Sequence, residues 1–143
     1  MGKPEVEAKC VQADRSVLCV DAYSALSKGQ DSIDANSTDA FLWLLESAAH
    51  FENLQETDNA IMVTVKAIDL AASMNLIERG YEVFRYARLM FEDGVLENDP
   101  SLENPMLKMT LFRTGKNLIA AARKASENSD VAEVQAELKA SIL

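Results

Sequence analysis

Glycine and proline are scarce, at five and three residues in a chain of 143. That excludes a turn-rich all-β protein and argues for long helices with short connections. The glycines stand singly at 2, 29, 80, 94 and 115, so there is no glycine-rich phosphate loop. Histidine occurs once, as His50. A His-based triad would have to use it, and no local motif marks a nucleophile to stand beside it. Glu46 and His50 are four positions apart, not the three of the Glu-x-x-His motif of di-iron bundles, and there is no second histidine to repeat it. Two cysteines with one histidine give no zinc pattern. On a single helix Cys10 and Cys19 lie about 13.5 Å apart along the axis, whereas a bridge needs Cα atoms within about 7 Å. Both are therefore expected as reduced thiols in a cytoplasmic-type compartment. No apolar run approaches the roughly 18 residues of a membrane span. The start, MGKPEVEAKC, has no apolar signal-peptide stretch. Position 6 is Val6, where a myristoylation signal carries Ser or Thr. No cofactor, metal or membrane is predicted.

What is present is helical periodicity almost throughout. Hydrophobic residues make up 48% of the chain and charged residues 26%, as in a globular domain. The predicted fold is all-α, a compact bundle of five or six mostly antiparallel helices in one domain, with main loops at 29–38 and 94–104. A first helix spans 4–28, from Pro4 near its first turn to Gly29 as its stop. A second spans 39–55, with N-caps on offer from Asn36 to Asp39 and a stripe of Phe41, Leu44, Leu45, Ala48 and Phe51. A third, 58–73, is capped by Thr57 or Asp58. It is apolar nearly all round, and such a helix belongs in the middle of a bundle. A fourth runs from an Asn75/Glu78 capping box to Gly94. Pro105 opens a fifth, 105–127, and Asp130 with Glu133 opens a sixth, 130–143. Helices of this length with short turns suit a helical-repeat array, but no 34-residue recurrence survives alignment of 40–73 on 74–107.

The stretch NLIERGYEVFRYARLMFEDG, 75–94, concentrates aromatics, arginines and a mid-pattern glycine. On a helix, Ile77, Gly80, Tyr81, Phe84, Ala87 and Phe91 form one stripe, widened by Val83, Tyr86 and Met90. The aromatics are expected mostly in the core, with Tyr81 and Tyr86 at the stripe's edges where their hydroxyls find a partner or water, and Gly80 is expected where another helix approaches closely or at a kink. Arg85 and Arg88 lie outside the stripe as candidate partner-binding residues. Acids nearby, in the pairs Glu82–Arg85 and Arg88–Glu92, also suit a solvated salt-bridge face.

Charge is unevenly spread around a net of −9. Residues 29–65 carry seven acids and no Lys or Arg, and 89–107 carry five acids and no base. The acids of FEDGVLENDPSLE do not match the register of a calcium loop. Residues 105–126 reverse the sign, with Lys108, Arg113, Lys116, Arg123 and Lys124 and no acid. Acidic neighbours would neutralise that helix; otherwise it is a docking face for an acidic partner. Direct nucleic-acid binding is not expected at a pI near 4.6. On the second helix Trp43, Ser47, His50 and Leu54 share a line outside the core stripe. Either this second face is buried as well, with Trp43 packed against the first or last helix, or it is an exposed patch in which Trp43 is the candidate anchor, with His50 and Leu54 at its margin.

The functional expectation is a non-enzymatic protein-binding domain (an adaptor, regulator or secretion-type chaperone). Its partner is another protein, read as basic from the acidic segments, and a homo-oligomer is compatible with the sequence. Two other classes stand beside it. One is an acidic inhibitor that imitates nucleic acid through 29–65 and 89–107. The other is an enzyme or small-ligand binder with a bundle pocket lined by Glu46, Asp69, Glu78 and Glu82.

Overall fold

The computed structural model describes residues 16–35, 38–125 and 139–140. Five α-helices and no strand occur among them: α1 (Ser16–Asp34), α2 (Asp39–Asn53), α3 (Thr57–Ser73), α4 (Ile77–Leu96) and α5 (Pro105–Ala125). A short 3-10 turn, Pro100–Glu103, precedes α5. The expected start of the first helix, and all of the sixth except Lys139 and Ala140, fall outside the described residues. Those two are helical and exposed.

The all-α bundle is as expected, and its centre is α3. This helix packs against α2, α4 and α5, while the main neighbour of α1 is α2. The nearly all-round apolar sequence of α3 explains its place, because most of its surface meets another helix and only a thin line at Lys66 and Ser73 is exposed. Ile61, Val63 and Ile68 are wholly buried there. Phe41, Leu44 and Phe51 of α2 reach toward the same core, as do Leu107 and Leu118 of α5. Tyr23 of α1 meets Phe51 edge-on, with ring centroids 5.1 Å apart.

The helix stops differ from the sequence reading. Gly29 and Gly94 were expected to end helices, yet both lie buried inside them. A Cβ on Gly29 would sit 2.9 Å from Leu44 Cδ2 of α2. One on Gly94 would collide with Leu102 of the 3-10 turn. These glycines serve close packing, so α1 runs on to Asp34 and α4 to Leu96, shortening both expected loops. The actual stops are Gln55, Asn75 and Asn98, each left-handed at φ 61, 58 and 57. All three close their helix with the same pair of backbone bonds. The third residue past the helix donates five positions back, as in Glu56 N–H to Phe51 O (3.0 Å), Leu76 N–H to Ala71 O (2.9 Å) and Asp99 N–H to Gly94 O (2.8 Å). The left-handed residue itself donates to the next carbonyl, Glu52, Ala72 or Val95. This is the Schellman arrangement. Asn75 therefore ends α3, and the expected capping box does not form: the N-cap of α4 is Leu76, with no side-chain cap bond.

Gly80 is where helices meet, as the sequence suggested. A Cβ there would lie 2.7 Å from Leu118 Cδ1 of α5 and 3.2 Å from Ala71 Cβ of α3. Val83 and Met90 sit in the core, whereas Tyr81, Tyr86 and Phe91 are half-buried at its edge.

Cys19 is buried and disulfide-bonded rather than free. This corrects the reduced-thiol reading for that residue; Cys10 lies outside the described residues.

Candidate functional site

The α5 helix buries Leu107, Thr110, Leu111, Thr114, Gly115, Leu118 and Ala122. That stripe is complete without the opposite face. Thr114 is tied to the neighbouring helix by donating its hydroxyl to Asp69 of α3. The outer face carries Phe112, 41% exposed, and Met109, 54% exposed. Around them Lys108, Arg113 and Lys116 point to solvent, and Lys116 Nζ stands 4.8 Å from the Phe112 ring centroid. Neither these three bases nor Lys124 forms an ion pair with another described residue; Arg123 makes an interaction of its own. Internal neutralisation of the basic helix is thus not seen for four of its five bases. The places of Phe112 and Met109 beside Arg113 follow from helical spacing.

Trp43 and His50 lie where α2 borders α1. With Asp21, Ser24, Ala25, Lys28 and Glu46 they line an open, mostly polar cleft of about 280 Å³. Lys28 Nζ sits 4.6 Å from the Trp43 ring centroid. His50 Nε2 is 3.9 Å from Glu46 Oε1, and its Nδ1 is buried without a hydrogen-bond partner. Trp43 and His50 are half-buried, neither core nor fully exposed. The rest of the expected line is covered. Ser47 is buried and donates its hydroxyl to Ala22 O of α1 at 2.8 Å. Leu54 is 4% exposed and belongs to the core, so it cannot form the margin of an exposed patch. The reason for Ser47 is α1, which packs along that side of α2. Lys28 was not foreseen, since nothing local to Trp43 marks it.

Arg85 and Arg88 of α4 are brought neither to Trp43 nor into the clefts described. Arg85 is exposed. Arg88 is half-buried, with Nε 3.7 Å from Glu92 Oε2. The companion pair Glu82–Arg85 does not form among the described residues.

A second cleft, of about 520 Å³, opens at the end of the bundle where α2 and α4 terminate. Glu52, Asp93, Glu97 and Asp99 line it with Gln55, Thr57, Met90 and Ser101, and no base is among its lining residues. The C-termini of α2 and α4 bring their negative ends here, and the N-terminus of α3, at Thr57, brings a positive one. Its floor is stapled. Thr57 donates to Asp99 Oδ2 at 2.7 Å, and Asp99 Oδ1 accepts from Ser101 N–H at 2.9 Å. Above it Tyr86 donates to Glu52 Oε1 at 2.8 Å. Burial first, then that hydrogen bond and the Glu52 charge, hold the phenol well above its ordinary pKa. The two sequence segments that meet here were seen separately; their juxtaposition depends on the bundle.

The four acids proposed for a bundle pocket are not gathered. Glu46 lines the Trp43 cleft, Asp69 accepts from Thr114, and Glu78 and Glu82 are exposed on α4. Among the described residues no group of three or more His, Cys, Asp or Glu side chains is placed to hold a metal ion. No described helix is long and apolar enough to cross a membrane. In comparisons with known proteins, no family model matches the chain, and no curated protein or solved structure matches it either.

Proposed function

We propose that the chain is a non-enzymatic protein-binding domain that works through the outer face of α5. The observation that carries this reading is the exposure of Phe112 and Met109 among cations without ion pairs, on a helix whose buried stripe is already complete. An apolar residue ringed by charge is the usual composition of a docking anchor with its rim. The Trp43–His50 edge lends less support, because Lys28 covers a ring face and Leu54 is core. A cytoplasmic location loses its original ground, which was reduced thiols, since Cys19 is bonded.

The test is a photo-crosslinking residue placed at Met109 and, as a control, at exposed Glu78, in the cells of origin. A discrete protein adduct from position 109 and none from 78 is the expected result. Absence of any adduct at 109 overturns the reading. The nucleic-acid-mimic alternative draws on one observation, the base-free acidic cleft beside α2 and α4. It requires the protein to displace DNA or RNA from a binding protein, with Asp93→Asn and Glu97→Gln weakening that competition.

A further inference from the structure

Resting on the reading above, we infer that the α5 face takes a short acidic segment of another protein, with an apolar side chain seated against Phe112. The argument is charge complementarity at a definite spacing. Lys108, Phe112 and Lys116 follow one another at intervals of four along α5, close to one line down the helix. The two ammonium groups are thus anchored about 12 Å apart along the axis, on either side of the ring. Met109 and Arg113 form a parallel row beside them, also four apart and one helical step round. A partner with two carboxylates about two helical turns apart, and an apolar residue between them, meets both cations and the ring together.

The remainder of the molecule narrows the partner. With a net charge of −9, the face is a basic island on an acidic body. A short acidic segment spans only the island, and acids farther off than about 8 Å are largely screened at physiological salt. An extended polyanion such as nucleic acid runs onto the repelling surface around it. A membrane-binding helix needs a broad apolar face. Here the apolar stripe of α5 is spent on the core, leaving Phe112 and Met109 as the large apolar groups exposed.

The probe is a short synthetic helical peptide with Glu, Leu and Glu at intervals of four on one face, labelled for fluorescence anisotropy, with a Gln-for-Glu version as its control. The Glu peptide is expected to bind the intact protein, to weaken as salt rises, and to exceed the Gln peptide. Lys116→Glu and Phe112→Ala should each weaken it by roughly tenfold or more, with unchanged melting curves. Equal binding of the Gln peptide overturns the inference, as does indifference to Lys116→Glu. Tighter, Lys116-dependent binding of a DNA duplex or of phosphatidylserine vesicles also overturns it, and so does self-association through this face in sedimentation. A crosslinked partner at Met109 with no acidic segment at the adduct defeats this inference but leaves the protein-binding reading standing. No adduct at all defeats both.

Discussion

Gly80 is a single residue with a large expected effect. With Leu118 and Ala71 already crowding the place a Cβ would take, Gly80→Leu should destabilise by about 1–3 kcal/mol through overpacking. A melting temperature that is unchanged or raised would show that the helices yield at this point. Tyr86 makes a prediction about pH. Its folded-state pKa is raised, so the folded chain keeps the phenolic proton longer than the unfolded chain does. The stability this contributes is complete below the ordinary tyrosine pKa of about 10 and is lost as pH rises beyond it. Tyr86→Phe should therefore show a shallower alkaline loss of stability than the wild type, in urea titrations at about pH 9 and about pH 11. Trp43 offers a third test. Lys28 lies over its ring, so Lys28→Ala should make its fluorescence easier to quench with acrylamide. Of these residues only Gly80 could be understood from local sequence, because a glycine in mid-stripe has few reasons to be there. Lys28 and Glu52 reach their aromatic partners across helices, and no spacing along the chain encodes that.

The helices were readable because their apolar stripes repeat over many turns, and α3 was placed centrally on that ground alone. The ends were harder. Sequence reasoning favours glycine as a stop because glycine enters the left-handed region without penalty. Here Gln55, Asn75 and Asn98 take that conformation, while Gly29 and Gly94 are spent on letting Leu44 and Leu102 approach. A non-glycine residue held left-handed costs about 1–2 kcal/mol. Gln55→Gly should recover part of this and raise the midpoint of chemical unfolding, whereas Gln55→Val should lower it. The α5 face was half visible. Its bases stood out, but whether acidic neighbours covered them depended on how α4 and α5 pack.

On the scale of the whole molecule, α3 is the shared element. Ile61→Ala should cost about 2–5 kcal/mol, and circular dichroism and Trp43 fluorescence should still report one common transition, because α2, α4 and α5 all lean on the same helix. Separate transitions would mean that the helices melt as independent pairs. The position of α1 has a different consequence. It is held chiefly by α2 and packs far less against α3, α4 and α5. Under native conditions its backbone amides should take up deuterium by a partial opening that leaves α3 protected, while the amides of α3 wait for global unfolding. The edge of this molecule and its centre would then keep different time, and the Trp43–His50 cleft, which has one wall on each of α1 and α2, would open and close with the faster of the two.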